Sequence, residues 1–273
     1  MVYHAYWPDR KICVAIKIIK RSKNFIKKAT KNELEVHKYI NSNITDNERN
    51  YIIRMYGFRK HSGYYFWKGK YMSIVMELAG RNLNTYYDRN SLIIRRHDGN
   101  REIFSDERKV VLENILKCAA KALQQFHNFG VHNDIRSNNF VTLKEQDELE
   151  PLTSCKLIDF NLSKTIGQDN VTNDMEVNRK RDIWALGSMM LTMMKFRFQN
   201  FPINLSYDTS PNFLHSYISN VNYNTNIDTV LKGCLLENAN LRPSMSAIVN
   251  FLEGNCHRFI YETQNSVGTL CEE

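Results

Sequence analysis

A chain of 273 residues, 42% hydrophobic and 24% charged, has enough apolar material for one large domain or two small lobes, which excludes a wholly disordered chain. Its formal net charge of +8 suits contact with an anion (nucleotide, nucleic acid, membrane surface or acidic substrate) without choosing among them. No apolar run approaches the roughly 18 residues needed to cross a bilayer, and Met1-Val2-Tyr3-His4-Ala5 has no signal-peptide pattern, so a soluble, intracellular, cytoplasmic protein is expected.

From Val2 to about Lys20 the residues alternate and are β-branched, which predicts two strands around a polar turn at Pro8-Asp9-Arg10. Lys23 to Ile40 reads as a helix, and Ile52 to Phe58 and Tyr71 to Leu78 as further strands. After Gly80 the pattern turns helical. Ser105 is a candidate N-cap with Asp106 and Glu107 in the first turn. Leu112, Ile115, Leu116, Ala119, Leu123 and Phe126 form a stripe at helical spacing that Gly130 can close. Short strand-like runs follow at Asn139 to Leu143 and Cys155 to Ile158, and helices dominate from Asp182 onwards. A small β-rich half, residues 1–79, before a larger helical half, 80–273, is an α+β, bilobal arrangement with a natural cleft.

Cys13, Cys118, Cys155, Cys234, Cys256 and Cys271 are scattered, without a C-x-x-C pair or metal-ligand spacing, and read as free thiols of a reducing compartment. The basic run Lys17, Lys20, Arg21, Lys23, Lys27, Lys28, Lys31 has only Phe25 among it. That weighs against a nucleic-acid patch and for a solvated face. Met189, Met190, Met193 and Met194 read as filling of a buried helix.

Chemistry concentrates in two segments. In His132-Asn133-Asp134-Ile135-Arg136-Ser137-Asn138-Asn139 an Asp precedes an Asn by five residues, between a long helix and a short strand. The Asp can orient an attacking hydroxyl and accept its proton, and the Asn can hold a metal that bridges phosphate oxygens. Leu157-Ile158-Asp159-Phe160-Asn161 then puts a carboxylate at the end of an apolar strand, placed to hold Mg2+. Alone, each segment reads more readily as a turn or a strand-terminal cap than as a site; their order and spacing together argue against chance.

In these two segments the chain resembles the protein kinase family, with its H-R-D-x-x-x-x-N and D-F-G loops. Val14-Ala15-Ile16-Lys17 resembles the strand whose Lys contacts the nucleotide phosphates. Glu33 resembles the helix glutamate that pairs with it, with Glu35 as the fallback. Ile74-Val75-Met76-Glu77-Leu78-Ala79 is similar to the fifth strand and hinge, with Met76 as gatekeeper. Arg181-Asp182-Ile183-Trp184-Ala185-Leu186-Gly187 is similar to the start of a helix whose Asp braces the catalytic loop, and Leu241-Arg242-Pro243-Ser244 to a closing segment. The resemblance runs from Val2 to about Leu252.

It implies ATP and Mg2+ as cofactors. Val2, Ala15, Lys17, Glu33, Met76, Glu77, Ala79 and Val141 would contact the nucleotide. Asp134, Arg136, Asn139 and Lys17 would be catalytic, and Asn139 and Asp159 would hold the metal. The implied activity is transfer of the γ-phosphoryl group to a Ser, Thr or Tyr hydroxyl of a protein substrate. A non-catalytic kinase-like binding module and a small-molecule, choline-type kinase are the alternatives.

Five departures from the family pattern stand beside that expectation. Val2 resembles the residue just after the family's glycine-rich loop, so a fragment of a longer chain and a protein working without that cover are both open. Without the cover, nucleotide affinity is expected to be weakened. Asn133 stands where the family has Arg, which implies activity independent of activation-segment phosphorylation. The stretch from Asp159 to Asp182 is short and has no A-P-E, leaving Asp174 or Glu176 as partners for Arg242. Asn161 replaces the metal-loop glycine, and Asn tolerates left-handed backbone angles. His37, where the family packs an apolar residue, reads as structural.

Overall fold

The structure, a computed structural model, describes residues 1–20, 24–45, 47–62, 70–98, 105–147, 150–166, 172–198, 200–202, 204–206, 208, 210–262 and 268–271. The alternating opening segment folds as a hairpin of β1 (Val2–Trp7) and β2 (Ile12–Lys20), joined by a 3-10 turn at Pro8–Arg10. Next, α1 (Asn24–Asn43) buries Leu34, Val36 and Ile40 in the core, while Lys28 and Lys31 stay exposed. Lys20, Lys28 and Lys31 of the basic run thus face solvent and Lys27 is half-buried, but Lys17 turns inward to Glu33 and Asp159, which corrects the reading of a wholly solvated face; Arg21 and Lys23 lie outside the described residues.

β3 (Met55–Ser62) and β4 (Lys70–Glu77) complete an antiparallel sheet of order β1-β2-β4-β3. The strand expected from Ile52 to Phe58 is divided between two partners. Met55 onward joins this sheet, whereas Ile52 bridges Leu157 in parallel. There Ile53 N donates to Leu157 O at 3.1 Å, and Leu157 N to Tyr51 O at 2.8 Å. One apolar run serves both, and hydrophobic periodicity does not reveal where the partner changes.

The chain leaves the sheet after Glu77 and enters α2 (Leu83–Asp98), so the expected lobe boundary falls in a short connection. Gly80 sits there with its N–H on Thr142 O at 2.9 Å, so close to Thr142 and Leu143 that a Cβ would collide with both. α3 (Asp106–His127) starts on Ser105, whose hydroxyl accepts from Arg108 N, and it buries the stripe from Leu112 to Phe126.

Beyond α3 come β5 (Gly130–Val131), β6 (Phe140–Thr142), β7 (Cys155–Leu157) and β8 (Lys164–Thr165), paired β5 with β8 and β6 with β7. The expectation that Gly130 closes α3 is corrected. Asn128 is the C-cap, and Gly130 lies within β5, where a Cβ would strike the Lys164 carbonyl. Glycine is required by a close strand approach, not by a helix end.

The helical half holds α4 (Thr172–Met193), α5 (Pro211–Ser219), α6 (Asn226–Cys234) and α7 (Met245–Glu253). α4 begins well before Asp182, the expected start of helix. Its first turns are polar apart from Met175 and Val177, so no apolar stripe announces them. Met189, Met190, Met193 and Met194 are buried, as the sequence suggested.

Four cysteines, Cys13, Cys118, Cys155 and Cys234, are free, but Cys256 and Cys271 form a disulfide, which corrects the reading of six free thiols. A parallel bridge between Arg258 and Leu270 sets the two side by side, a proximity that spacing does not reveal. Arg242 donates to the carbonyls of Lys180, Leu236 and Glu237, while Glu176 lies 3.8 Å from the Lys180 ammonium that holds Arg242 O. Among the described residues no helix is long and apolar enough to cross a membrane.

Candidate active site

Side chains alternate across a strand, so Ala15 and Lys17 of β2 share one face. Residues directly opposite in an antiparallel pair also share a face, which adds Val2 opposite Lys17 and Met76 opposite Ala15. That face looks toward the helical half. Lys17 Nζ lies 2.7 Å from Glu33 Oε1 on α1 and 2.7 Å from Asp159 Oδ1 beyond β7. Glu35, the fallback, is instead about half exposed beside Lys31. Burial opposes the Lys17 charge, but the two carboxylates outweigh it and hold the ammonium pKa above its ordinary value. Burial raises the pKa of Glu33, and Lys17 offsets only part of that.

The pairing of β6 with β7 brings the other residues together. Phe140 lies opposite Leu157, and Ile158 N donates to Asn139 O at 2.9 Å, so Asn139 and Asp159 stand at the same end of one two-stranded ladder. Asn139 Nδ2 donates to the Asp134 backbone carbonyl at 2.8 Å and to Asp134 Oδ2 at 2.9 Å. With its donor end committed, the Asn139 amide presents its oxygen as the end that can ligate a cation. Arg136 reaches Asp134 Oδ2 at 3.2 Å from a half-exposed position.

The backbone of this loop is fixed from below. Asp182, 1% exposed in mid-α4, accepts from His132 N at 2.7 Å and Asn133 N at 2.8 Å, with His127 Nε2 at 3.3 Å. His132 links the two chemical segments, because Asp134 N donates to its Nδ1 while its Nε2 faces Ile158 O. Those partners set the neutral Nε2–H tautomer, and burial lowers the ring's pKa in agreement. Asp159 is left-handed at φ 65°, ψ 67°, and Phe160 behind it is fully buried, stacked on Phe126 and edge-on to His37 and His132.

The remaining expected nucleotide contacts lie at the hinge. Val141 is buried and bridges Asn82, and Ala79 packs against the core. The Glu77 carboxylate is turned to Lys156 at 2.6 Å and to Arg54 N, which leaves the main chain of Glu77 as its contribution to the cleft. Ile135, Arg136 and Ser137 form one wall of an open cleft of about 420 Å3, completed by Trp184, Met189 and Met193.

Sequence reasoning missed Asn32. Its amide reaches three carbonyls of the metal loop, at Phe160, Asn161 and Ser163. A signal existed: Asn is a poor helix former, and here it occupies a helix interior next to Glu33.

A model of the protein kinase domain family matches residues 1–252. The chain is also 28% identical over 152 residues to a protein of Dictyostelium discoideum named probable serine/threonine-protein kinase mps1. That alignment covers 44% of this chain and 14% of the relative, so the chain spans a small part of that relative's length.

Proposed function

This chain belongs to the protein kinase family, and we propose that it is an active, ATP-dependent protein kinase that phosphorylates a protein hydroxyl. The observation that carries this reading is Lys17 held at 2.7 Å by both Glu33 and Asp159, beside the Asp134–Asn139 pair. Four elements distant in sequence supply one constellation suited to phosphoryl transfer.

The residues fit the implied nucleotide and cation. Mg2+ is usually bound by one or two carboxylates together with substrate phosphates, and Asp159 with the Asn139 amide oxygen supplies the protein's share. Bound there, the cation would neutralise charge on the transferred group. Lys17 pairs with phosphate oxygens, and Glu33 fixes its direction. Asp134 orients the acceptor hydroxyl and takes its proton, and Arg136 offsets charge near the acceptor. Ala15, Val2, Met76 and Val141 give the base apolar walls, and the hinge main chain from Glu77 to Ala79 faces it. Membership of the protein kinase family supports a protein substrate over a small amine, and the open cleft beside Ile135 is where we place it. The relative's name favours Ser or Thr as the acceptor.

A thermal-shift titration with ATP, with and without Mg2+, tests this on wild type and Asp159→Asn. Ligand at about 100 times its dissociation constant stabilises by roughly 2.7 kcal/mol, about 5–10 °C for a domain this size. A Mg2+-dependent shift lost in the variant supports the reading; no shift at millimolar ATP overturns it.

A further inference from the structure

We propose that Asn32 and Asn133 are positioning residues that clamp the metal loop by its backbone carbonyls, assembling the cation site without a phosphorylated residue. This rests on the kinase reading for its consequence in catalysis, but the clamp itself is a matter of geometry.

Four successive carbonyls of the loop meet the two amides. Asn32 Nδ2 lies 3.4 Å from Phe160 O, 3.0 Å from Asn161 O and 2.8 Å from Ser163 O. Asn133 Nδ2 donates to the carbonyl in between, Leu162 O, at 3.2 Å. Ser163 Oγ returns a bond to His132 O at 3.1 Å, tying the same turn to the catalytic loop. The loop starts from Asp159 at φ 65°, a left-handed conformation that Asp adopts at some cost and that the carbonyl contacts help to hold.

Two features make this clamp more than loop packing. Asn32 precedes Glu33 on α1, so any movement of α1 that withdraws Glu33 from Lys17 also withdraws the amide from the metal loop. Helix position and loop conformation are thereby one variable. Asn133 itself sits at φ 61°, a region that Asn tolerates better than most residues. Its neutral amide makes this bond with no ionised or modified partner. The loop is therefore held in the unmodified chain.

The sharp test reverses the sign of the clamp without changing its size. Asn32→Asp sets a carboxylate against three carbonyl oxygens, and Asn133→Asp does so against one while still tolerating positive φ. Hydrogen exchange is followed on the segment 158–166 of the ligand-free, phosphatase-treated full chain, where Ser163 N bonds Phe160 O and Ile166 N bonds Phe129 O. Wild type should be protected, and each variant should exchange at least about tenfold faster there, the scale of one or two lost hydrogen bonds. Protection unchanged in both variants, or lost from wild type on phosphatase treatment, overturns the clamp; if Asn32→Asp does not fold, Asn133→Asp decides. In parallel, Asn32→Asp should lose the Mg2+-dependent part of ATP stabilisation and keep the Mg2+-free part. A wild type that binds no Mg2+-ATP yet shows the exchange pattern would sink the kinase reading and leave the clamp standing.

Discussion

Lys17 and Asp159, 142 residues apart in sequence, meet at 2.7 Å, and the same ammonium holds the almost fully buried Glu33. The contact spans the cleft between the sheet and the helical half, so the ion triad is structural as well as chemical.

Removing its centre should therefore cost stability and not only activity. Lys17→Ala leaves the Glu33 carboxylate buried without its ammonium, and it should destabilise the fold by about 3 kcal/mol. Lys17→Met combined with Glu33→Leu should recover most of that loss. Urea denaturation of the single and double variants measures both. Equal stability of Lys17→Ala and wild type would contradict the burial of this pair.

His37 gives stability a dependence on pH. Among the described residues neither of its buried ring nitrogens has a hydrogen-bond partner, and burial, reinforced by Lys17 and Arg49, lowers its pKa to about 3. The unfolded chain binds the proton near pH 6.5, so this group's contribution is full above that pH and is lost as pH falls toward 3. The slope is up to about 1.4 kcal/mol per pH unit. His37→Leu should gain about 1 kcal/mol at neutral pH by removing unsatisfied polar atoms. It should also flatten the decline between pH 6.5 and 5, as denaturant midpoints at the two pH values would reveal.

Asp228 gathers the helical half. Fully buried, its carboxylate accepts from Arg197 at 2.9 Å, from the Tyr217 hydroxyl at 2.8 Å and from Thr225 N and Oγ1 at 3.1 and 2.6 Å. Asp228→Ala strips all of these partners at once and should cost about 3–5 kcal/mol. Tyr217→Phe removes one hydroxyl and should cost about 1–1.5 kcal/mol. Thermal unfolding ranks the two variants, and a reversed order would show that the tyrosine, not the carboxylate, organises this corner.

Asp182 should separate positioning from binding. Asp182→Ala frees the N–H groups of His132 and Asn133, which allows Asp134 to drift from the acceptor hydroxyl. On the proposed function, kcat should fall about 10²-fold while KM for ATP changes little, since Lys17 and the hinge are untouched. Steady-state kinetics decides, and a rise in KM alone would place the role of Asp182 elsewhere.

The fold was largely legible because its signals are local. Alternation gave the hairpin up to Lys20, and a capped apolar stripe gave α3. The residues of the site were legible only as types at a spacing. Only the family resemblance singled out Glu33 over Glu35; in the structure Glu33 is buried against Lys17 and Glu35 is not. What stayed hidden depends on contacts between distant segments. The polar start of α4 has no stripe to read, the Cys256–Cys271 pairing depends on a tertiary bridge, and Asn32 acts on carbonyls about 130 residues away. A side chain that recognises backbone leaves no complementary residue to find.

The bridge between Ile52 and Leu157 also bears on how the chain is made. Among the described residues Tyr51 O and Ile53 N find their backbone partners on Leu157, so the N-terminal segment cannot complete this hydrogen bonding until more than 100 further residues have been synthesised. Contacts at such separation slow folding, because closure of a long loop must precede its reward. A nascent chain stalled before Leu157 would expose the apolar run from Tyr51 to Met55, and that window is where folding assistants have most to bind during translation.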